Sequence, residues 1–558
     1  MKQVLILISL LLVYASTSHS KTMTNFEHIY MGSNFSVEDT LSVKVKTVLQ
    51  KHFGLELSSK SFKLVQKQDS LLGSHFRFIE VKEGIQIQDS EIVLSIDQND
   101  YLYKVHDNVA DSSSLKKLKL SASITSRYAE GIAYDSLGGY AELLEYPMAN
   151  LVIHNGRLVY IINMNTVNPR GDYEIVIDAN TEDIISSRDV RIYRHLKSIP
   201  KKVIVKGKKK LNYFTDAYLE LVIKKNKTKS LITESSIGKG YGQIFKPNPV
   251  TTLKNDKLED NSEAYIFKPA YRKVTLENLL IKDGVYHLKS DLVELKNFES
   301  PNTSVTTSKS GDFTGERNSS TFTDTMTYYH LYDSIQYLKN LGFKNSKLIF
   351  KKAMIADSDA VYGSDNSYFS PAQNALAFGH GCVDDNEDSD VILHELGHAI
   401  NFNINNSWRG GDTGAMGEGF GDYWAASYAY LQENGTFLPN RVFKWDGHNK
   451  CWGGRMVNKV NMKYNHNTTY GAHVRMDGGV TDELWSTPIF QAFKELVDKG
   501  ESADSLQAII IESQFGMGSG VKMRDWANSI VQTAKKMFPN KKYDEVYKKY
   551  FKNQKIIR

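Results

Sequence analysis

Residues 391–400 read VILHELGHAI, and the spacing inside this stretch predicts a helix that carries a metal site. Positions four apart on a helix share one face, so His394 and His398 can present two imidazole nitrogens to one ion. Glu395 lies beside them, and a carboxylate next to a metal-activated water is placed to take its proton. Three fixed positions can also recur by accident in a chain of 558 residues. On these residues alone, a surface helix with two satisfied histidines remains a rival reading.

The chain downstream narrows the choice. Residues 414–425 read GAMGEGFGDYWA, in which Glu418 and Asp422 are again four apart and share a helix face. A catalytic zinc takes three protein ligands and keeps one position open. Glu418 can complete such a set, while Asp422 can accept the second ring N–H of a histidine ligand, fixing its tautomer. Two helices would then supply four convergent groups.

Composition bounds the alternatives. With 41% hydrophobic and 24% charged residues the chain is globular, and a net charge of +5 over 558 residues is too small to suggest nucleic acid. That length exceeds what one core serves, so several domains are expected. Residues 1–20, with Lys2, an apolar run from Val4 to Tyr14 and then small residues, read as a signal peptide, an uncleaved anchor being the rival. No later segment offers eighteen apolar residues in a row. Processing should therefore leave a secreted protein without a membrane segment. The two cysteines, Cys382 and Cys451, suggest one disulfide in an exported chain, against two separate buried thiols.

Taken in order, a helix opened by Ser36 and Asp39, with Leu41, Val45, Val48 and Leu49 as its apolar stripe, precedes strands at 75–81, 85–88, 91–97 and 101–105. Beyond a polar spacer the pattern partly repeats, with a helix near 123–134, a hairpin turning at Asn155-Gly156 and a strand at 173–179. Residues 188–210 are strongly basic and read as a connector open to proteolysis, or as a solvated strand pair. The next part is β-rich until a helix near Asp324. Helices are expected again near 482–498, 502–514, 523–537 and 542–556.

HELGH, then Glu418 twenty positions beyond His398, then Asp422, resembles the thermolysin and fungalysin group of secreted glutamate-type zinc peptidases, with GAMGEGFGDYWA most similar to the fungalysin branch. The N-terminal part resembles their propeptides. The resemblance implies an α+β fold, with a β-rich N-lobe (236–405) ending in the zinc helix and a helical C-lobe (406–558). Ahead of these would lie a fungalysin/thermolysin-propeptide-like domain (21–110), a PepSY-like domain (111–195) and a junction (196–235). It implies zinc on His394, His398 and Glu418, Glu395 as general base and later proton donor, and Asp422 as partner of His394. Asn366 would hold substrate backbone, with 367–369, including Tyr368, pairing with it by strand addition.

The family also places a histidine before a glycine as oxyanion donor. Here His473 stands five residues before Gly478 where the family spacing is three or four, so Arg475 is kept as the alternative donor. The family's tyrosine after the zinc helix is missing, with Trp408 and Arg409 near its place. Asp384, Asp385, Glu387, Asp388 and Asp390 offer a calcium reading, although acidic residues at a helix start need no metal.

The expectation is a zinc metalloendopeptidase acting on proteins or peptides, made as a precursor whose propeptide inhibits it and aids its folding. The alternative is an exported binding or chaperone-like protein with an inert zincin domain.

Overall fold

The computed structural model describes residues 21–31, 40–111, 118–139, 142–168, 170–195, 235–448 and 451–558. The expected signal peptide, the Ser36–Asp39 helix start, the spacer at 112–117 and nearly all of the junction at 196–235 lie outside the described residues.

Helix Val43–Phe53 starts at Ser42, whose side chain accepts from Val45 N, and ends at Gly54 in the left-handed region, φ 69°. It covers an antiparallel meander of Ser61–Asp69, Gly73–Lys82, Ile85–Asp97 and Tyr101–Asn108, with Lys21–Tyr30 on the outer edge of the last strand. The two strands expected at 85–88 and 91–97 are one. Asp89 takes φ 61° within it, so the Asp-Ser pair marks a local distortion and the ladder continues through it.

The second unit repeats the plan. Helix Ser126–Ser136 covers Met148–His154, Arg157–Asn168, Arg170–Asp178 and Ile184–Asp189, and Asn155 and Gly156 both have positive φ, as a primed hairpin turn requires. Each unit keeps its own apolar core. A short parallel contact, Gln86 with Val152 and Ile87 with Ile153, joins them into one ten-stranded sheet.

The second half begins with strands Ser235–Phe245 and Tyr271–Lys282. The long helix expected from Asp324 starts earlier, at Ser320, because Ser319 accepts from Phe322 N and caps it. A mixed sheet follows in the order Ser367–Ser370, Ala375–Phe378, Met354–Asp357, Val293–Leu295. Helices Ser389–Ile404, Thr413–Leu431, Thr481–Asp498, Ala503–Gln514, Met523–Met537 and Tyr543–Asn553 complete the chain. One apolar core runs from Ile244 to Ile556, with Trp445, Trp485 and Trp526 fully buried. Among the described residues no helix is long and apolar enough to cross a membrane.

The N-terminal sheet docks on the later helices through polar contacts. Glu512 accepts from Ser70 Oγ at 2.6 Å, Leu71 N at 2.9 Å and Leu72 N at 3.2 Å. Glu91 accepts from Ser407 Oγ at 2.9 Å, His106 Nε2 meets Ser519 O at 3.0 Å, and His75 stacks on Phe515. Arg77 donates to Asn405 and Asn406.

Candidate metal centre and cleft

The motif helix, Ser389–Ile404, begins at Asp388, whose carboxylate accepts from Asp390 N. Val391, Ile392, Leu393, Leu396, Ala399 and Ile400 are fully buried, so the helix is held by apolar contact on several sides and is not a surface element. Helix Thr413–Leu431 crosses it at very close range. A Cβ on Gly397 would lie 2.7 Å from Gly421 Cα, and one on Gly421 would lie 2.5 Å from His394 Nδ1. Glycine at these two positions lets the helices approach closely enough for their polar groups to meet.

The result is a compact buried cluster. His394 Nε2 is 3.1 Å from His398 Nε2 and 3.2 Å from Glu418 Oε2, and His398 Nε2 is 3.4 Å from Glu418 Oε1. Three ligand atoms, one from each residue, lie within 4.8 Å of one another. Neither Glu418 oxygen nor either Glu395 oxygen has a hydrogen-bond donor, which is costly for buried carboxylates unless a cation compensates them. Burial lowers both imidazoles, His394 to about 4 and His398 well below its ordinary value, leaving neutral nitrogens with lone pairs to give. Burial, then the nearby Glu418, push the Glu395 carboxyl well up. Two neutral imidazoles and one carboxylate of this geometry fit a tetrahedral zinc with one position left open.

Asp422 Oδ1 lies 3.1 Å from His394 Nδ1. The same carboxylate accepts from Arg455 Nε at 2.8 Å and Nη2 at 2.8 Å. Sequence reasoning missed Arg455, which is buried and also approaches Glu418 and Asp482. It missed Asp482 as well. Asp482 Oδ2 holds His473 Nδ1 at 2.9 Å, while His473 Nε2 is 3.5 Å from Glu418 Oε1. Burial alone would lower His473, but Glu418 and Asp482 outweigh it and raise it to about 9, so the ring is cationic at neutral pH.

Arg475 is exposed, in the two-residue strand Arg475–Met476 that pairs with Gly479–Val480. The geometry therefore puts His473 beside the cluster and leaves the alternative donor outside it. Trp408 donates to Thr413 O and packs edge-on to Trp526, and Arg409 pairs with Asp89 of the N-terminal sheet.

The acidic run before the helix is divided among protein partners. Asp385 pairs with Arg194 and Glu387 with Arg317, Asp388 accepts from Trp445 N and Asp446 N, and Asp390 accepts from Phe443 N. Among the described residues, each cluster able to hold an ion takes at most one member from this run. Asp385 joins Asp365 and Asp446 in one such cluster, which surrounds the Arg194 guanidinium. Cys382 and Cys451 form a disulfide, with Cα atoms 6.6 Å apart, which ties the loop before the motif helix to one beyond the second helix.

The end of the N-terminal part enters the cleft. Strand Ile192–Tyr193 adds antiparallel to Ser367–Ser370, pairing Ile192 with Phe369 and Tyr193 with Tyr368. Arg194 N donates to Ser367 O at 3.1 Å, and Asn366 Nδ2 donates to His195 O at 3.0 Å. The connector expected at 188–210 is therefore not a solvated linker over its described part, since Arg191 and Arg194 are buried and ion-paired. Tyr368 contributes its backbone to the pairing, and its hydroxyl donates inward to Glu299 at 2.7 Å.

No protein-family model matches the chain. A stretch of 203 residues, 33% of this chain and 38% of the relative, is 27% identical to bacillolysin of Bacillus subtilis (strain 168). Bacillolysin of Bacillus amyloliquefaciens is 24% identical over 144 residues, 24% of this chain and 27% of that protein. The chain thus aligns with about two fifths or less of the curated relatives it matches. Among solved structures, the precursor of protealysin, a metalloproteinase from Serratia proteamaculans, aligns over 42% of this chain and 79% of its own at 12% identity, with a TM-score of 0.31. The similarity found by sequence is therefore to bacillolysins, over a third of the chain.

Proposed function

We propose that this chain is a zinc-dependent endopeptidase of the thermolysin type, exported and made as a precursor whose first 195 or so residues restrain the cleft and assist folding. The observation that carries the reading is the buried convergence of His394, His398 and Glu418 beside the unpartnered carboxylate of Glu395, with an extended peptide already bound along the edge strand. The partial likeness to bacillolysins supports the same class. The fungalysin branch and the PepSY-like unit rest on the sequence resemblance alone.

Zinc, when bound there, polarises the scissile carbonyl and makes an adjacent water more acidic. Glu395 takes a proton from that water and passes it to the departing amine. His473, held cationic by Asp482, donates to the oxygen that gains charge. Arg455 and Asn366 grip backbone carbonyls beyond the cut, and Asp422 orients His394.

The test is hydrolysis of casein by the zinc-loaded protein, with and without a chelator, and by Glu395→Gln. We expect chelation to abolish cutting and Glu395→Gln to reduce it by about a thousandfold or more while zinc binding persists. Substantial activity in that variant would remove Glu395 from its role. A zinc-loaded wild-type protein that cuts nothing would favour the exported binding protein with an inert zincin domain.

A further inference from the structure

Resting on the peptidase reading, we infer that the cleft selects a basic side chain, arginine ahead of lysine, on the residue that follows the cleaved bond. Asp385, Asp446 and Asp365, with Trp452, form the selecting pocket.

The register of the bound segment comes first. Tyr193 O faces His473 Nε2 at 2.9 Å, and that nitrogen is 3.5 Å from Glu418, so the Tyr193 carbonyl is the one presented to the metal ligands. The next residue is gripped at both backbone groups: Arg194 N donates to Ser367 O, and Arg194 O accepts from Arg455 Nη1 at 2.8 Å. His195 follows, held by both ends of the Asn366 amide. Residues 193–195 thus lie as an extended substrate would, with Tyr193–Arg194 at the reacting position.

The side chain after that bond is Arg194, which is fully buried. Its Nη2 is 2.9 Å from Asp385 Oδ1 and 3.5 Å from Asp365 Oδ1, and its Nη1 donates to Asp446 Oδ2. Its guanidinium carbon lies 4.7 Å from the centre of the Trp452 ring. Asp385 and Asp446 are themselves fully buried. Asp385 is fixed by Ser367 Oγ of the edge strand, so the pocket and the backbone-binding strand are one rigid unit.

An apolar side chain at this place would leave two buried carboxylates without the cation they face, which is far costlier than the loss of an ordinary contact. A guanidinium reaches separate carboxylates through its fork and lies flat on an aromatic ring. An ammonium offers one compact charge and does neither as well.

Quenched fluorescent peptides that contain Tyr-Arg-His, Tyr-Lys-His or Tyr-Leu-His, given to the zinc-loaded protein, test this directly, with cut positions read by mass spectrometry. We expect cutting before Arg, with kcat/KM exceeding the Leu peptide by about a hundredfold or more and the Lys peptide falling between. Asp446→Asn and Asp385→Asn should each shrink the Arg-to-Leu ratio, and because that ratio cancels the amount of active protein it stays readable if a variant folds poorly. Equal or faster cutting before Leu by the wild-type protein would overturn the pocket assignment and leave the peptidase reading intact. Absence of any zinc-dependent cutting, in peptides and casein alike, would overturn both.

Discussion

In the second half of the chain, Trp445, Trp485 and Trp526 are fully buried among aliphatic and aromatic neighbours. At the seam where the N-terminal sheet meets that half, the buried groups are Arg77, Glu91, Lys104, His75, His106 and Glu512. The first region is held by removal of apolar surface from water, which has no preferred partner geometry and little sensitivity to pH. The second is held by hydrogen bonds to charges whose desolvation offsets much of their attraction. An interface of that kind is specific and releasable, whereas the core beneath the convergent histidines must persist. On the proposed reading, a restraint that is later removed belongs at the second kind of surface and a catalytic scaffold on the first.

The largest effect should come from breaking the core. Trp526→Ala is expected to cost about 3–5 kcal/mol of stability, measured by urea unfolding, with the same loss at pH 5.5 and 7.5. A loss that varied strongly with pH would erase the distinction between the two regions.

A smaller effect should follow from Glu512→Ala, which strips the acceptor from Ser70 Oγ, Leu71 N and Leu72 N. Docking should weaken by about 2–3 kcal/mol, seen as faster amide exchange around residues 70–72 and 515–520. If exchange rose equally in helix Ser389–Ile404, the seam would not be a separable interface.

The smallest effect concerns pH. Burial lowers His75 well below its ordinary value and His106 from 6.5 to about 4. The docked form therefore binds fewer protons than the released one, and stability present above about 6.5 is lost as pH falls toward 4. Glu512, which burial raises, takes up a proton while docked and opposes this. The opening equilibrium at the seam, read as the exchange rate divided by the intrinsic rate at the same pH, should rise by roughly tenfold or less between pH 7 and pH 5.5, and His106→Gln should flatten that rise. A seam that tightened on acidification would contradict the sign.

Much of the cleft could be read in advance where its residues are close in sequence. Helix periodicity alone brings His394 to His398 and Glu418 to Asp422, and the glycines at 397 and 421 are legible afterwards as the reason the two helices meet. The strand pairing at 366–369 was also legible, through resemblance. Arg455 was not, since nothing around GGRM marks it and its partners stand 33 and 61 positions away. The aspartates before the motif helix were read as a possible ion site because their charge was visible and their neighbours were not. Arg194, counted among solvated basic residues, is fully buried.

The sequence by itself determined the convergence of His394 with His398 and of Glu418 with Asp422, and the order of many helices and strands, because short spacings translate directly into shared faces. Only the tertiary structure decided that His473 and not Arg475 reaches the cluster, that Arg455 ties it together, and that residues 192–195 fill the cleft with an arginine in an acidic pocket. Asp365, Asp385, Asp446 and Arg194 come from four separate segments, and no local rule of spacing relates them. Their meeting follows from the packing of strands and helices around one core.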